Sequence, residues 1–202
     1  IKGQAGPTLF ASYDHERSAA ADENITHSTR ATDFLAPHSE AEQIMRNAVL
    51  DLARETGFAK RMVNSGRLSV PTAYAGSPLS TPDQEAWDGG VKPGAPIPDA
   101  PLQDISGRTL FLSEALGPDF TLLHRANGQT KDLQAEDLPG GIKPIAIGDD
   151  HLDPEGLLVQ RYALPEGGSV LIRPDGHVAA RFGSFDRARL DEALHRAMGD
   201  RR

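Results

Sequence analysis

The side chains with the means to do chemistry are few and scattered along this sequence. Seven histidines stand at His15, His27, His38, His124, His151, His177 and His195. No two of them share a metal-ligand spacing with a third ligand close by, so no metal site is expected. Asp149 and Asp150, with Asp153 nearby, offer oxygen ligands to a hard cation. Carboxylates in a loop before a helix more often face solvent or cap the helix, and that is the expectation here. His124 and Arg125 end an apolar run, where α/β sheets often carry functional groups, although a solvated strand end is the plainer reading. Ser65-Gly66 and Gly76-Ser77 lack the Gly-x-Ser-x-Gly elbow of a serine nucleophile. Neither Gly-x-Gly-x-x-Gly nor a Walker phosphate loop occurs, and the pairs Gly140-Gly141 and Gly167-Gly168 read as turns. No catalytic residue and no cofactor-binding residue is assigned within this chain.

Composition narrows the classes further. The chain has no cysteine, which excludes disulfides, thiolate metal sites and dithiol redox chemistry. Its formal net charge of −8 repels a phosphate backbone, and its basic residues form no patch, so nucleic acid is not an expected partner. Apolar residues make up 38% of 202, and 20 glycines and 15 prolines imply a modest core with much loop. No apolar run approaches the roughly 20 residues needed to span a bilayer, and no signal peptide is seen. A cytoplasmic location and no membrane partner are therefore expected. The first residue is Ile1, not Met, which fits a chain that begins mid-gene, follows a cleavage or lacks an N-terminal stretch.

The elements that must position these groups can be read in order. Pro7 suits a first helical turn, and Leu9, Phe10, Tyr13, Arg17, Ala20 and Asn24 recur at helical spacing, so a helix is expected to about Asp33, ending before Pro37. Ser39 and Glu42 form a capping box for a second helix, with Ile44, Met45, Ala48, Val49 and Leu52 as its buried face. After a break at Gly57 a short helix runs through Met62 and Val63 and is capped by Gly66. Two or three helices bury little on their own, so this region is expected to pack against something else. Residues 68–74 read as extended. From 76 to 101, 10 of 26 residues are Gly or Pro, the composition of a connector wrapped over a surface, on which Trp87 would be an apolar anchor. From 102 onward the pattern is β-β-α-β-loop-β-α-β-β-α. It includes a hairpin at Pro174-Asp175-Gly176 and a last helix capped by Asp186. A helix between strands favours a parallel pair, and the final hairpin adds antiparallel strands.

The expected fold class is thus α/β: a helical N-terminal segment (1–75), a Gly/Pro-rich linker (76–101) and a thioredoxin-like mixed sheet with flanking helices (102–202). After the strand at 120–124 such a fold would carry Cys-x-x-Cys. This chain has Asn127-Gly128-Gln129-Thr130 there, and neither Asn127 nor Thr130 can form the thiolate that attacks a disulfide. The position reads as a degenerate redox motif, and the unit as structural.

The sequence also resembles a known family. Gly3-Gln4-Ala5-Gly6-Pro7, then Leu9, then Tyr13-Asp14-His15-Glu16-Arg17 are similar to the stretch that follows the FAD domain in class A flavoprotein monooxygenases, except that Ser18 stands where a proline often follows the arginine. Thr32-Asp33-Phe34-Leu35-Ala36-Pro37, Val63-Asn64-Ser65-Gly66-Arg67-Leu68, Ser77-Pro78-Leu79 and Pro93-Gly94-Ala95-Pro96 resemble the tail of the phenol hydroxylase and aromatic polyketide hydroxylase branches. So does the passage from Leu171-Ile172-Arg173-Pro174 through Asp175-Gly176-His177 to Val178-Ala179-Ala180-Arg181-Phe182.

The resemblance implies a parent that uses FAD, NAD(P)H and oxygen to hydroxylate an aromatic small molecule, with flavin-binding motifs upstream of Ile1. It implies that Tyr13, Glu16 and Arg17 pack the first helix against the missing FAD domain, and that the terminal unit assists a homodimer. No cofactor is expected on this fragment alone. A free-standing, redox-inactive thioredoxin-like binding module with a helical extension is the alternative.

Overall fold

The structure is a computed structural model, and it describes residues 6–63, 71–127, 133, 136 and 138–199. The chain divides into two compact units, one of residues 1–15 with 73–202 and one of residues 16–72. Helix α1 (Pro7–Leu35) begins in the first and continues in the second.

In the smaller unit the local signals act as their chemistry requires. Ser39 Oγ accepts the Glu42 N–H at 3.3 Å, and the Glu42 carboxylate accepts the N–H groups of His38 at 2.7 Å and Ser39 at 3.1 Å. This box starts α2 (Glu40–Glu55), and α3 (Gly57–Val63) follows at once. The His38 amide is the main reason that the Glu42 carboxyl lies below its ordinary range. One expectation is corrected. Helix α2 buries none of its residues, and Ile44, Met45 and Leu52 are 64%, 67% and 44% exposed. The apolar stripe exists, but among the described residues nothing buries it. The Gly66 cap and residues 68–70 of the extended stretch lie outside the described residues.

The larger unit is built on one sheet of seven strands. They are β1 (Pro101–Asp104), β2 (Thr109–Phe111), β3 (Thr121–Arg125), β4 (Lys143–Ile147), β5 (His151–Leu152), β6 (Ser169–Ile172) and β7 (Val178–Phe182). Their order is β2-β1-β5-β4-β3-β6-β7. Strands β3 and β4 run parallel, with Thr121 opposite Lys143 and Arg125 opposite Ile147, whereas β6 is antiparallel to both β3 and β7. Strand β5 was not foreseen. Two residues in an acidic loop carry no strand period, yet His151 and Leu152 pair with Asp104 and Gln103 and so join the β1–β2 hairpin to the sheet. The observed class, mixed α/β with a helical N-terminal segment, is the one expected.

The central strands are buried along almost their whole length, because both faces are covered. Alternation sends Leu123 to one face and Leu122 to the other. On the first face Leu123, Ile145, Val170 and Ile172 pack with α4 (Leu112–Ala115) and α5 (Leu157–Tyr162), chiefly through Leu112, Leu158 and Tyr162. On the second, Leu122, Leu171 and Phe182 meet Leu190, Ala193, Leu194 and Ala197 of α6 (Arg187–Ala197). Each fully buried leucine contributes about 1.5–3 kcal/mol. Asp186 caps α6 by accepting from Ala188 and Arg189.

Residues 73–100 form a strap along the outer edge of β7. The N–H groups of Thr81, Gly94 and Ile97 donate to Ala179, Val178 and Gly176 at 2.7, 2.7 and 2.9 Å, and Val178 N–H returns a bond to Ala95. An otherwise open sheet edge is thereby paired. Arg181 clamps the strap. Its guanidinium binds Asp83 twice, at 2.7 and 2.6 Å, and donates to the carbonyls of Gly89 and Val91. The Trp87 ring lies 4.4 Å from that guanidinium, so a cation–π contact helps to anchor it. Among the described residues no helix is long and apolar enough to cross a membrane.

Candidate functional site

The carboxyl ends of β3 and β4, where a parallel pair meets antiparallel β6, are where the topology would place a site. The groups there are His124, Arg125 and Asn127; Thr130 lies outside the described residues. His124 corrects the solvated-end reading, for it is 0% exposed. Strand β3 is central, and the ring shares the face of Leu122, which α6 covers. The hydroxyl of Ser169, which stands opposite on β6, has no partner among the described residues. Burial pushes the imidazole below its ordinary value, and the charges of Asp149 and Asp150 and a backbone hydrogen bond at Arg125 oppose that shift.

Arg125 turns to the other face. Its Nη1 donates to the Leu164 carbonyl at 3.1 Å, and Nη2 lies 3.5 Å from Glu166. It borders a cleft of about 490 Å³ that Asp153, Ile147, Val159 and Glu166 also line. Asp153 caps α5, as expected, by accepting the Val159 N–H at 2.9 Å. Among the described residues no three His, Asp or Glu side chains gather to hold a metal.

Asn127 closes on Gly167. A Cβ at Gly167 would lie 2.3 Å from the Asn127 amide nitrogen, and Gly167 has φ +73°. The backbones of Arg125 and of Gly167 and Gly168 exchange two bonds of 3.0 Å. An amide pressed on a glycine is neither nucleophile nor base, so the arrangement at Asn127 is a packed joint.

Two of the paired glycines pack against protein neighbours: a Cβ at Gly140 would meet Leu194 at 2.7 Å, and one at Gly168 would meet Pro165 at 2.8 Å, whereas one at Gly141 would meet nothing within 4 Å.

The remaining feature is bare apolar surface. Phe10 and Tyr13 on α1 are 78% and 69% exposed. Phe58, Met62 and Val63 join Ile44, Met45 and Leu52 among the exposed large side chains of the smaller unit. A groove of about 520 Å³ there is lined by His27, Phe34, Leu35, Met62 and Val63. Of the three residues singled out on α1, Tyr13 and Arg17 are exposed and Glu16 is buried.

Comparison with known proteins gives this geometry a context. A family described as the C-terminal domain of aromatic-ring hydroxylases matches residues 91–200. The chain is 30% identical over 193 residues to the tetracenomycin A2 monooxygenase-dioxygenase of Streptomyces glaucescens, covering 90% of this chain and 31% of that protein. It is 28% identical over 209 residues to the aklavinone 12-hydroxylase RdmE of Streptomyces purpurascens, covering 100% of this chain and 37% of that one. The chain thus spans about a third of the length of these relatives. Among solved structures, the flavin-dependent monooxygenase PieE, in complex with FAD and substrate, shares the fold at a TM-score of 0.71 and 21% identity, over 99% of this chain and 41% of that chain. Aklavinone-11 hydroxylase, in a ternary complex with FAD and aklavinone, does so at 0.69 and 22%, over 99% and 37%.

Proposed function

The chain belongs to the family of aromatic-ring hydroxylase C-terminal domains, and on that premise we propose that it is the terminal part of an FAD- and NAD(P)H-dependent monooxygenase that hydroxylates an aromatic small molecule in the cytoplasm. In this reading residues 1–75 complete the flavin- and substrate-binding region, 76–101 connect, and 102–202 form a thioredoxin-like scaffold that assists homodimerisation. The strand order β4-β3-β6-β7, with β3 and β4 parallel and β6 and β7 antiparallel, supports the thioredoxin-like assignment. Asn127 and Thr130 mark the place of a lost redox motif.

The observation that carries the proposal is the uncovered apolar surface on α1, α2 and α3. Exposed large side chains at this density mark an interface, and a flavin-binding body on the same polypeptide is the occupant that family membership favours. Tyr13, Glu16 and Arg17 then fix α1 against that body by packing and ion pairing. In this reading oxygen chemistry belongs to the flavin-binding part, since this sequence holds neither Gly-x-Gly-x-x-Gly nor a thiolate.

The test compares the product of the whole reading frame with these 202 residues. The longer product is expected to be yellow, to hold FAD stoichiometrically and to oxidise NAD(P)H, while the shorter is colourless. Ile44→Glu with Met45→Glu is expected to leave the short chain's own stability within about 0.5 kcal/mol and to strip flavin from the longer one. Tight FAD binding by the short chain would sink the proposal, as would full flavin retention in the doubly substituted long one. Light scattering of the long product with and without residues 102–202 tests the dimer.

A further inference from the structure

The carboxyl end of α6 meets the start of α1. The last carbonyls of a helix have no partner within it, and that of Met198, the residue that ends α6, accepts the Gly6 N–H at 2.8 Å. Gly6 is buried, and its own carbonyl accepts the Leu9 N–H at 3.2 Å as α1 begins. The negative end of one helix thus lies against the positive end of another, which favours the contact. Gly199 lets the two come this close. It follows α6 at φ +87°, with its N–H on the Arg196 carbonyl at 2.9 Å. A Cβ there would lie 2.5 Å from the Leu9 nitrogen and 3.1 Å from the Gly6 carbonyl oxygen. Backbone atoms cannot step aside as a flexible side chain would, so both the conformation and the space call for glycine.

Side chains add little to this joint. A cavity of about 300 Å³ lies beside it, lined by Leu9, Leu79, Phe120, Ala197 and Met198 among others, and Phe10, next in α1, is exposed. Backbone bonding and close approach therefore hold the joint, and one added side chain suffices to open it. Helix α1 continues beyond His15 into the smaller unit. Its exposed Phe10 and Tyr13 belong to the surface that the function proposed above gives to a flavin-binding body.

We propose that the end of α6 is a latch for the first turn of α1, through which the terminal unit holds that helix in place for the flavin-binding body. The body rests on the function proposed above, whereas the latch rests on contacts within these 202 residues. Residues 102–202 thereby take part in flavin binding without carrying a flavin motif.

Gly199→Asn adds a side chain at a residue type that tolerates positive φ, so it blocks the seat with little backbone strain. Gly141→Asn makes the same change at φ +74°, where nothing lies within 4 Å. Hydrogen exchange in the 202-residue chain reads the latch. In the unaltered chain the Gly6 amide is expected to be protected about tenfold or more over a free peptide. In Gly199→Asn that protection is expected to fall about fivefold or more, the equivalent of one lost hydrogen bond, with the β3 amides unchanged; Gly141→Asn is expected to leave Gly6 as it was. An unprotected Gly6 amide in the unaltered chain overturns the latch, whether or not the variant folds. So does unchanged protection in Gly199→Asn, or an equal fall at Gly6 and in β3. In the product of the whole reading frame, Gly199→Asn is expected to raise the Kd for FAD about fivefold or more. An unchanged Kd with Gly6 protection lost overturns the tie to flavin binding. Should the unsubstituted product bind no FAD, the function proposed above fails, while the exchange data still decide the latch.

Discussion

Replacing Arg181 with alanine tests whether the strap is held by one buried cation. The Arg181 side chain is 2% exposed and its partner Asp83 27%. The substitution removes two short charged bonds to Asp83, the donors to the Gly89 and Val91 carbonyls, and the cation under Trp87. Breaking a buried pair by deleting one partner costs about 3–5 kcal/mol, because the other charge stays behind. Asp83 can reach water, which places the expected loss near the low end, about 3 kcal/mol. Arg181→Lys keeps the charge but not the planar fork that binds a carboxylate at two points, so it is expected to recover less than half of the loss. Trp87, the only tryptophan, reports locally. Urea denaturation followed by its fluorescence should show an earlier midpoint, and its native emission should shift to the red as the strap loosens. A loss under about 1 kcal/mol, the range of a surface pair, or an unchanged emission maximum, would refute the clamp.

Three further outcomes are expected. Gly94→Ala places a Cβ 2.4 Å from the Tyr74 carbonyl oxygen at φ +84°, whereas Gly76→Ala at φ +74° meets nothing within 4 Å; the second should cost about 1 kcal/mol for backbone strain alone and the first clearly more, by thermal denaturation. Ser39→Ala removes the acceptor for the Glu42 amide and should cost about 1 kcal/mol, seen as lost helicity in circular dichroism. For the Asp175 carboxyl, burial pushes upward, but the bond from His177 and the charge of Arg173 outweigh it and hold the group at about 2. Its contribution is therefore full above the unfolded value of 3.8 and fades as pH falls toward about 2. Asp175→Asn should be less stable than the unaltered chain at pH 7, with the gap closing as denaturation is repeated toward pH 3; a constant gap contradicts the assignment.

The features legible without the fold were local. The Ser39–Glu42 box, the Pro174-Asp175-Gly176 hairpin, the Asp186 cap and the near-continuous apolar runs of the central strands each lie within a few residues, and backbone bonding and side-chain period act over that range. The absence of cysteine likewise decided that Asn127 and Thr130 cannot exchange electrons. Tertiary structure alone decided what lies far apart in sequence. Strand β5 is two residues long and exists because β1 and β4 bracket it. His124 looked like a solvated end, yet α6, some 60 residues later, closes over its face. The stripe on α2 read as core and is bare, because a period shows which side chains share a face and says nothing of whether any surface comes to cover it. Burial belongs to pairs of surfaces, and one stretch of sequence holds only one member of each pair.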